Sequence, residues 1–174
     1  MVRLGTLGLV AALTAACSTR DPVELPLPKE LEPRGDEFLV VVLPDTQIYA
    51  RDYPETFDSQ LKWVATWAER YRIAFVTHVG DIVQTGERDE QWAVATAAYD
   101  WLADADIPHG LAIGGHDLRT GDNPGYDTSC TEDDDRYDCD ATKFRHYFGP
   151  ERYADKAWYG GASPSGQSSF QLVE

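Results

Sequence analysis

Three side chains stand where catalytic or metal-binding groups are often found. Asp45 follows the apolar run Phe38-Leu39-Val40-Val41-Val42-Leu43 and Pro44. Asp81 follows Ile73-Ala74-Phe75-Val76-Thr77-His78-Val79 and Gly80. His116 follows Leu111-Ala112-Ile113 and two glycines, and Asp117 comes next. Carboxylates are hard oxygen ligands and imidazole is a borderline nitrogen ligand. Taken singly, an Asp or Gly after a strand is an ordinary turn former. All three following buried runs point instead to a metal site.

The elements that must position these groups are legible from periodicity. Continuous runs rich in Val, Ile and Phe predict strands buried on both faces, as in a parallel sheet. Ligands of such sheets bind beyond the carboxyl ends of the strands. Arg51 to Glu55 reads as a polar loop, with Thr56 as N-cap of a helix running to about Arg72. Its apolar face is Phe57, Leu61, Val64, Ala68 and Tyr71, with Trp63 and Trp67 as a second, packing stripe. A second helix spans Arg88 to Ala103, with Trp92, Ala95, Tyr99 and Leu102 facing inward. Pro108 opens the third strand. The result is an α/β chain with a βαβαβ unit and right-handed crossovers. Beyond it, Ala141 to Phe148 reads as a short helix and Gln167 to Val173 alternates like a strand.

The chain has 174 residues and a formal net charge of -15. So acidic a chain repels nucleic-acid phosphates, so no nucleic-acid partner is expected. A phosphate substrate is still allowed, because bound dications invert the local field. Five Trp and nine Tyr can build a substantial core.

Residues 1–17 read as an export signal. Arg3 precedes an apolar run, Leu4 to Ala16, that is shorter than the roughly 20 residues a bilayer span needs. Leu13-Thr14-Ala15-Ala16-Cys17 resembles a bacterial lipobox, with Thr14 where Leu is commoner. That resemblance implies lipidation of Cys17, a membrane anchor and a place in the cell envelope, at the periplasm or outer membrane. Plain secretion is the alternative. Residues 18–36 read as a disordered tether and residues 37–174 as the domain. Export permits a disulfide between Cys130 and Cys139, which lie in one acidic loop. Thr131 to Asp135 lacks the alternating oxygens and closing Glu of an EF-hand.

The strand-end blocks resemble the calcineurin-like metallophosphoesterase family over roughly Phe38 to Glu174. Asp45-Thr46-Gln47 is similar to its D-x-[HQ] block, Gly80-Asp81-Ile82-Val83-Gln84 to G-D-x-x-[DN], and Gly114-Gly115-His116-Asp117 to G-N-H-[DE]. Tyr147-Phe148-Gly149-Pro150 and Trp158-Tyr159-Gly160-Gly161 also resemble a bacterial branch of the family. The resemblance implies an α/β sandwich of two sheets flanked by helices, with this chain as its first βαβαβ half. It implies two divalent cations (Mn, Fe or Zn) that hold a small phosphomonoester or phosphodiester and activate water. Asp81 would bridge the cations, Asp45 would bind the first, and Gln47 would be a neutral oxygen ligand or near neighbour. His116 would face the leaving group, with Asp117 orienting its ring.

Two departures stand beside the matches. Gly115 replaces the Asn that would ligate the second metal, which puts that site in doubt. None of the four histidines lies in a G-H-x-H block, so later ligands would belong to sequence beyond Glu174. The rival expectation is therefore a non-catalytic envelope lipoprotein or degenerate remnant of the fold. A third is an α/β protein of unrelated function. His78, inside a strand, reads as a packed or hydrogen-bonded core residue. His109 starts the third strand away from the site, and His146 has no assigned role.

Overall fold

The computed structural model describes residues 27–118 and 141–173. The export signal, Cys17, the first part of the expected tether, and the loop carrying Cys130 and Cys139 lie outside the described residues. The chain is a mixed α/β protein. Its central sheet has three parallel strands in the order β1 (Leu39–Leu43), β2 (Ile73–His78) and β3 (His109–Leu111). Helices α1 (Gln47–Asp52) and α2 (Pro54–Trp67) connect β1 to β2, and α3 (Asp89–Asp104) connects β2 to β3. Helix α4 (Thr142–Phe148) precedes an antiparallel hairpin of β4 (Tyr159–Ala162) and β5 (Ser169–Gln171). Among the described residues no helix is long and apolar enough to cross a membrane.

The two long helices form where the apolar periodicity places them. Phe57, Leu61 and Val64 of α2 join Trp92, Ala95, Tyr99 and Leu102 of α3 in one cluster with Leu43 and Val76 of the sheet. Trp63 and Trp67 stack on Tyr71 at 6.1 and 5.4 Å, the packing role expected of them. Trp92 anchors the second layer. Its indole N–H donates to the Gly86 carbonyl at 2.8 Å, and Tyr147 of α4 stacks on it at 5.9 Å.

Several expectations are corrected. Arg51 to Glu55 is not a loop: Gln47–Asp52 is helical, and α2 starts at Pro54 with Tyr53, not Thr56, as N-cap. Proline is suited to that first position because its missing N–H would have no partner there. α2 ends at Trp67, short of Arg72, whose φ of +47° turns the chain into β2. The third strand lies at His109–Leu111, although the Ala112 N–H still reaches the His78 carbonyl at 2.9 Å.

The sheet is not buried on both faces. Along β1, Val40 and Val42 are 49% and 56% exposed, while Leu43 is buried. The strand order never reverses, so crossovers of one hand carry the helices to one face. The opposite face carries exposed Phe38, Val40, Val42 and Val79. At its β3 side the hairpin comes close, with Gln171 lying over Gly110 where a Cβ would fall 2.6 Å from its side-chain oxygen.

Residues 27–36, the described end of the expected tether, are tied to the domain. The Leu27 N–H donates to the Tyr71 hydroxyl at 2.9 Å, and Arg72 donates to the Gly35 carbonyl.

Candidate functional site

The three strand-end loops meet through a small set of buried hydrogen bonds. The first loop carries exposed Asp45 and buried Thr46 into α1. Thr46 occupies the N-cap position of α1, yet its hydroxyl makes no cap bond. It lies 2.9 Å from His78 Nε2 and donates to the Ile82 carbonyl at 3.1 Å.

The second loop turns sharply after β2. Gly80 and Asp81 have φ of +107° and +54°. A Cβ on Gly80 would approach the Gly114 backbone to 2.9 Å, so glycine is needed for the close approach as well as for the turn. The Gly80 N–H donates to His78 Nδ1 at 3.0 Å. His78 is thus hydrogen-bonded in the core, as expected. Burial holds its pKa down at about 4, while the charges of Asp45 and Asp81 pull it upward. Both carboxylates therefore act on the same buried ring, from the ends of adjacent strands. Asp81 is half-buried, and its Oδ1 accepts the His116 N–H at 2.9 Å.

The third loop is held by Asp117. Its side chain is fully buried and accepts the Val83 N–H at 2.9 Å and the Gly114 N–H at 2.8 Å. Burial pushes its pKa up to about 7 against the pull of these amides. Asp117, expected to orient the His116 ring, directs its two oxygens at backbone amides. Gln84 holds the ring instead. His116 Nδ1 lies 2.9 Å from the Gln84 carbonyl and 3.1 Å from the Gln84 side-chain nitrogen. The ring is retained in either tautomer: an Nδ1 lone pair can take the amide N–H, and an Nδ1–H can be given to the carbonyl.

Asp45, Asp81 and the Gln47 side chain are the groups suited to hold a divalent cation. Gln47 Oε1 is buried and has no hydrogen-bond partner among the described residues, which fits a neutral oxygen ligand. Among the described residues no group of three or more His, Cys, Asp or Glu converges as a cation cage. Gly115 supplies no ligand, and a Cβ there would meet nothing within 4 Å.

His109 lies where expected, in β3. Its ring is packed among Tyr99, Tyr153 and Trp158 at 5.5, 5.2 and 5.0 Å. The sequence reading missed Thr46 and Gln84 as site residues and did not connect His78 to the site. Thr46 sits between two candidate ligands and Gln84 three residues after a third, which was the available signal.

No family model matches the chain, and no solved structure does. The chain is 30% identical over 144 residues, 83% of its length, to the uncharacterized protein YvnB of Bacillus subtilis (strain 168). It spans 10% of that protein's length.

Proposed function

We propose that the chain carries the first βαβαβ half of a two-sheet, calcineurin-like metallophosphoesterase domain. Its chemistry would be metal-dependent hydrolysis of phosphomonoesters or phosphodiesters. The observation that carries this reading is the joining of the loops that bear Asp45 and Asp81 through Thr46 and His78, with the His116 N–H donating to Asp81 and its ring held by Gln84. The exposed apolar face of β1 supports the fold: a second sheet packed there would bury Val40 and Val42.

Asp45 and Asp81 would bind the cations, with Gln47 Oε1 as a further ligand. When bound, the cations neutralise the ester oxygens and lower the pKa of water. His116 faces the leaving oxygen and stabilises or protonates it. Export and a Cys17 lipid anchor belong to the same proposal.

Hydrolysis of p-nitrophenyl phosphate and its bis ester in Mn²⁺, by the longest natural form, tests it. Asp81→Asn is expected to lower kcat/KM by about 100-fold or more, and unchanged activity would overturn the reading. Gly115 favours a second reading, a non-catalytic envelope protein of the same fold. Metal analysis separates the two: about two cations per complete chain favours the enzyme, and none favours the remnant.

A further inference from the structure

We infer that His78 and Thr46 act as positioning residues, clamping the loops that carry Asp45 and Asp81 so that the two carboxylates form one metal centre. This rests on the phosphoesterase reading.

The direction of every bond in the clamp follows from the groups involved. A backbone N–H can only donate, so His78 Nδ1 accepts from Gly80 at 3.0 Å. The proton of the neutral ring then lies on Nε2, which donates to Thr46 Oγ1 at 2.9 Å. A carbonyl can only accept, so the Thr46 hydroxyl donates to Ile82 O at 3.1 Å. The path leaves the second loop at Gly80, crosses the first at Thr46, and returns to the second at Ile82. Asp81 sits between the two anchored residues, and Asp45 directly precedes Thr46.

Packing alone does not account for this arrangement. An N-cap threonine ordinarily accepts a hydrogen bond from an amide in the first turn of its own helix. Here that hydroxyl is committed to the neighbouring loop. Asp81 is also held at φ +54°, a left-handed conformation that residues with a side chain adopt only at a cost. Bonds on both sides of it keep the turn in place. Without them the Asp81 loop can relax, and its carboxylate loses its fixed place relative to Asp45. Partners that orient metal ligands in this way typically change affinity by about 10–100-fold.

The test is Mn²⁺ titration of the full chain by calorimetry, with thermal melting of each variant. Thr46→Val is expected to weaken Mn²⁺ binding by about tenfold, and Thr46→Ser, which keeps the hydroxyl, to bind within about twofold of wild type. Leu61→Ala, a core truncation on α2, is expected to lower the melting temperature and leave Mn²⁺ affinity unchanged. A merely structural role for Thr46 would make Thr46→Val behave like Leu61→Ala. If Thr46→Val binds as wild type while Asp81→Asn does not bind, the clamp is wrong and the phosphoesterase reading stands. If Asp81→Asn binds as wild type, or wild type binds nothing, the reading falls and the clamp with it. Nitrogen-15 spectra of His78 in the wild-type chain give an independent check that holds even where Thr46→Val does not fold. A proton on Nε2 is expected, and a proton on Nδ1 would overturn the directed path.

Discussion

Gln84 and His116 are joined across 32 residues of sequence at a single ring nitrogen. The side-chain amide of Gln84 and its own carbonyl both reach His116 Nδ1, so the imidazole keeps its pose whether that nitrogen carries a proton or not.

Gln84→Ala removes the side-chain half of this hold and leaves the carbonyl. Under the phosphoesterase reading, kcat is expected to fall by about tenfold with KM changed by less than about twofold, because the interaction serves the leaving group rather than ground-state binding. Steady-state kinetics on a p-nitrophenyl ester checks this. A change confined to KM would count against it.

Asp117→Ala strips the buried Val83 amide and the part-buried Gly114 amide of their acceptor. Each orphaned donor costs about 1–3 kcal/mol, so a loss of roughly 2–5 kcal/mol is expected in urea unfolding. A loss under about 1 kcal/mol would mean that the loops find other partners.

Stability should depend on pH through three buried groups. His78 and His109 each have a pKa lowered by burial to about 4. Each contributes stability that is present above the unfolded value of 6.5 and lost as pH falls through about 4. Asp117 acts in the opposite sense, because its pKa is raised from 3.8 to about 7. Its contribution is present below pH 3.8 and lost as pH rises through about 7. Between pH 4.5 and 6.5 two histidines oppose one aspartate, so the net effect favours stability at the higher pH. His109→Asn leaves one against one, and the slope over that window should flatten in urea titrations with EDTA present.

Adjacent glycines should respond in opposite ways. A Cβ on Gly114 would fall 2.1 Å from the Asp81 backbone nitrogen, so Gly114→Ala must push two loops apart. A loss of about 1–3 kcal/mol is expected in thermal or urea unfolding. Gly115 has no atom within 4 Å of the same position. Gly115→Asn should leave stability within about 0.5 kcal/mol and, on the metal-centre reading, raise the bound Mn²⁺ per chain. Elemental analysis of the two proteins decides it.

Much of this architecture is written in local pattern. Helices α2 and α3 are visible because Phe57, Leu61 and Val64, and Trp92, Ala95, Tyr99 and Leu102, repeat at helical spacing. Strands β1 and β2 are visible as apolar runs, and each strand end is marked by the polar residues that follow it. Helix α1 has six residues and no such repeat, so Gln47–Asp52 was not legible as a helix. The exposed face of β1 was not legible either. Val40-Val41-Val42 reads the same whether one face or both are covered, and only the side taken by the crossovers decides it. The bonds that join the loops lie furthest from local pattern. Thr46 meets His78 at a separation of 32 residues, and Asp117 meets Val83 at 34. A hydrogen bond of this kind has no periodicity and leaves no trace in composition. Sequence alone determined which residue types stand at the strand ends. The tertiary structure decided which of them touch, because contact follows from strand order and register.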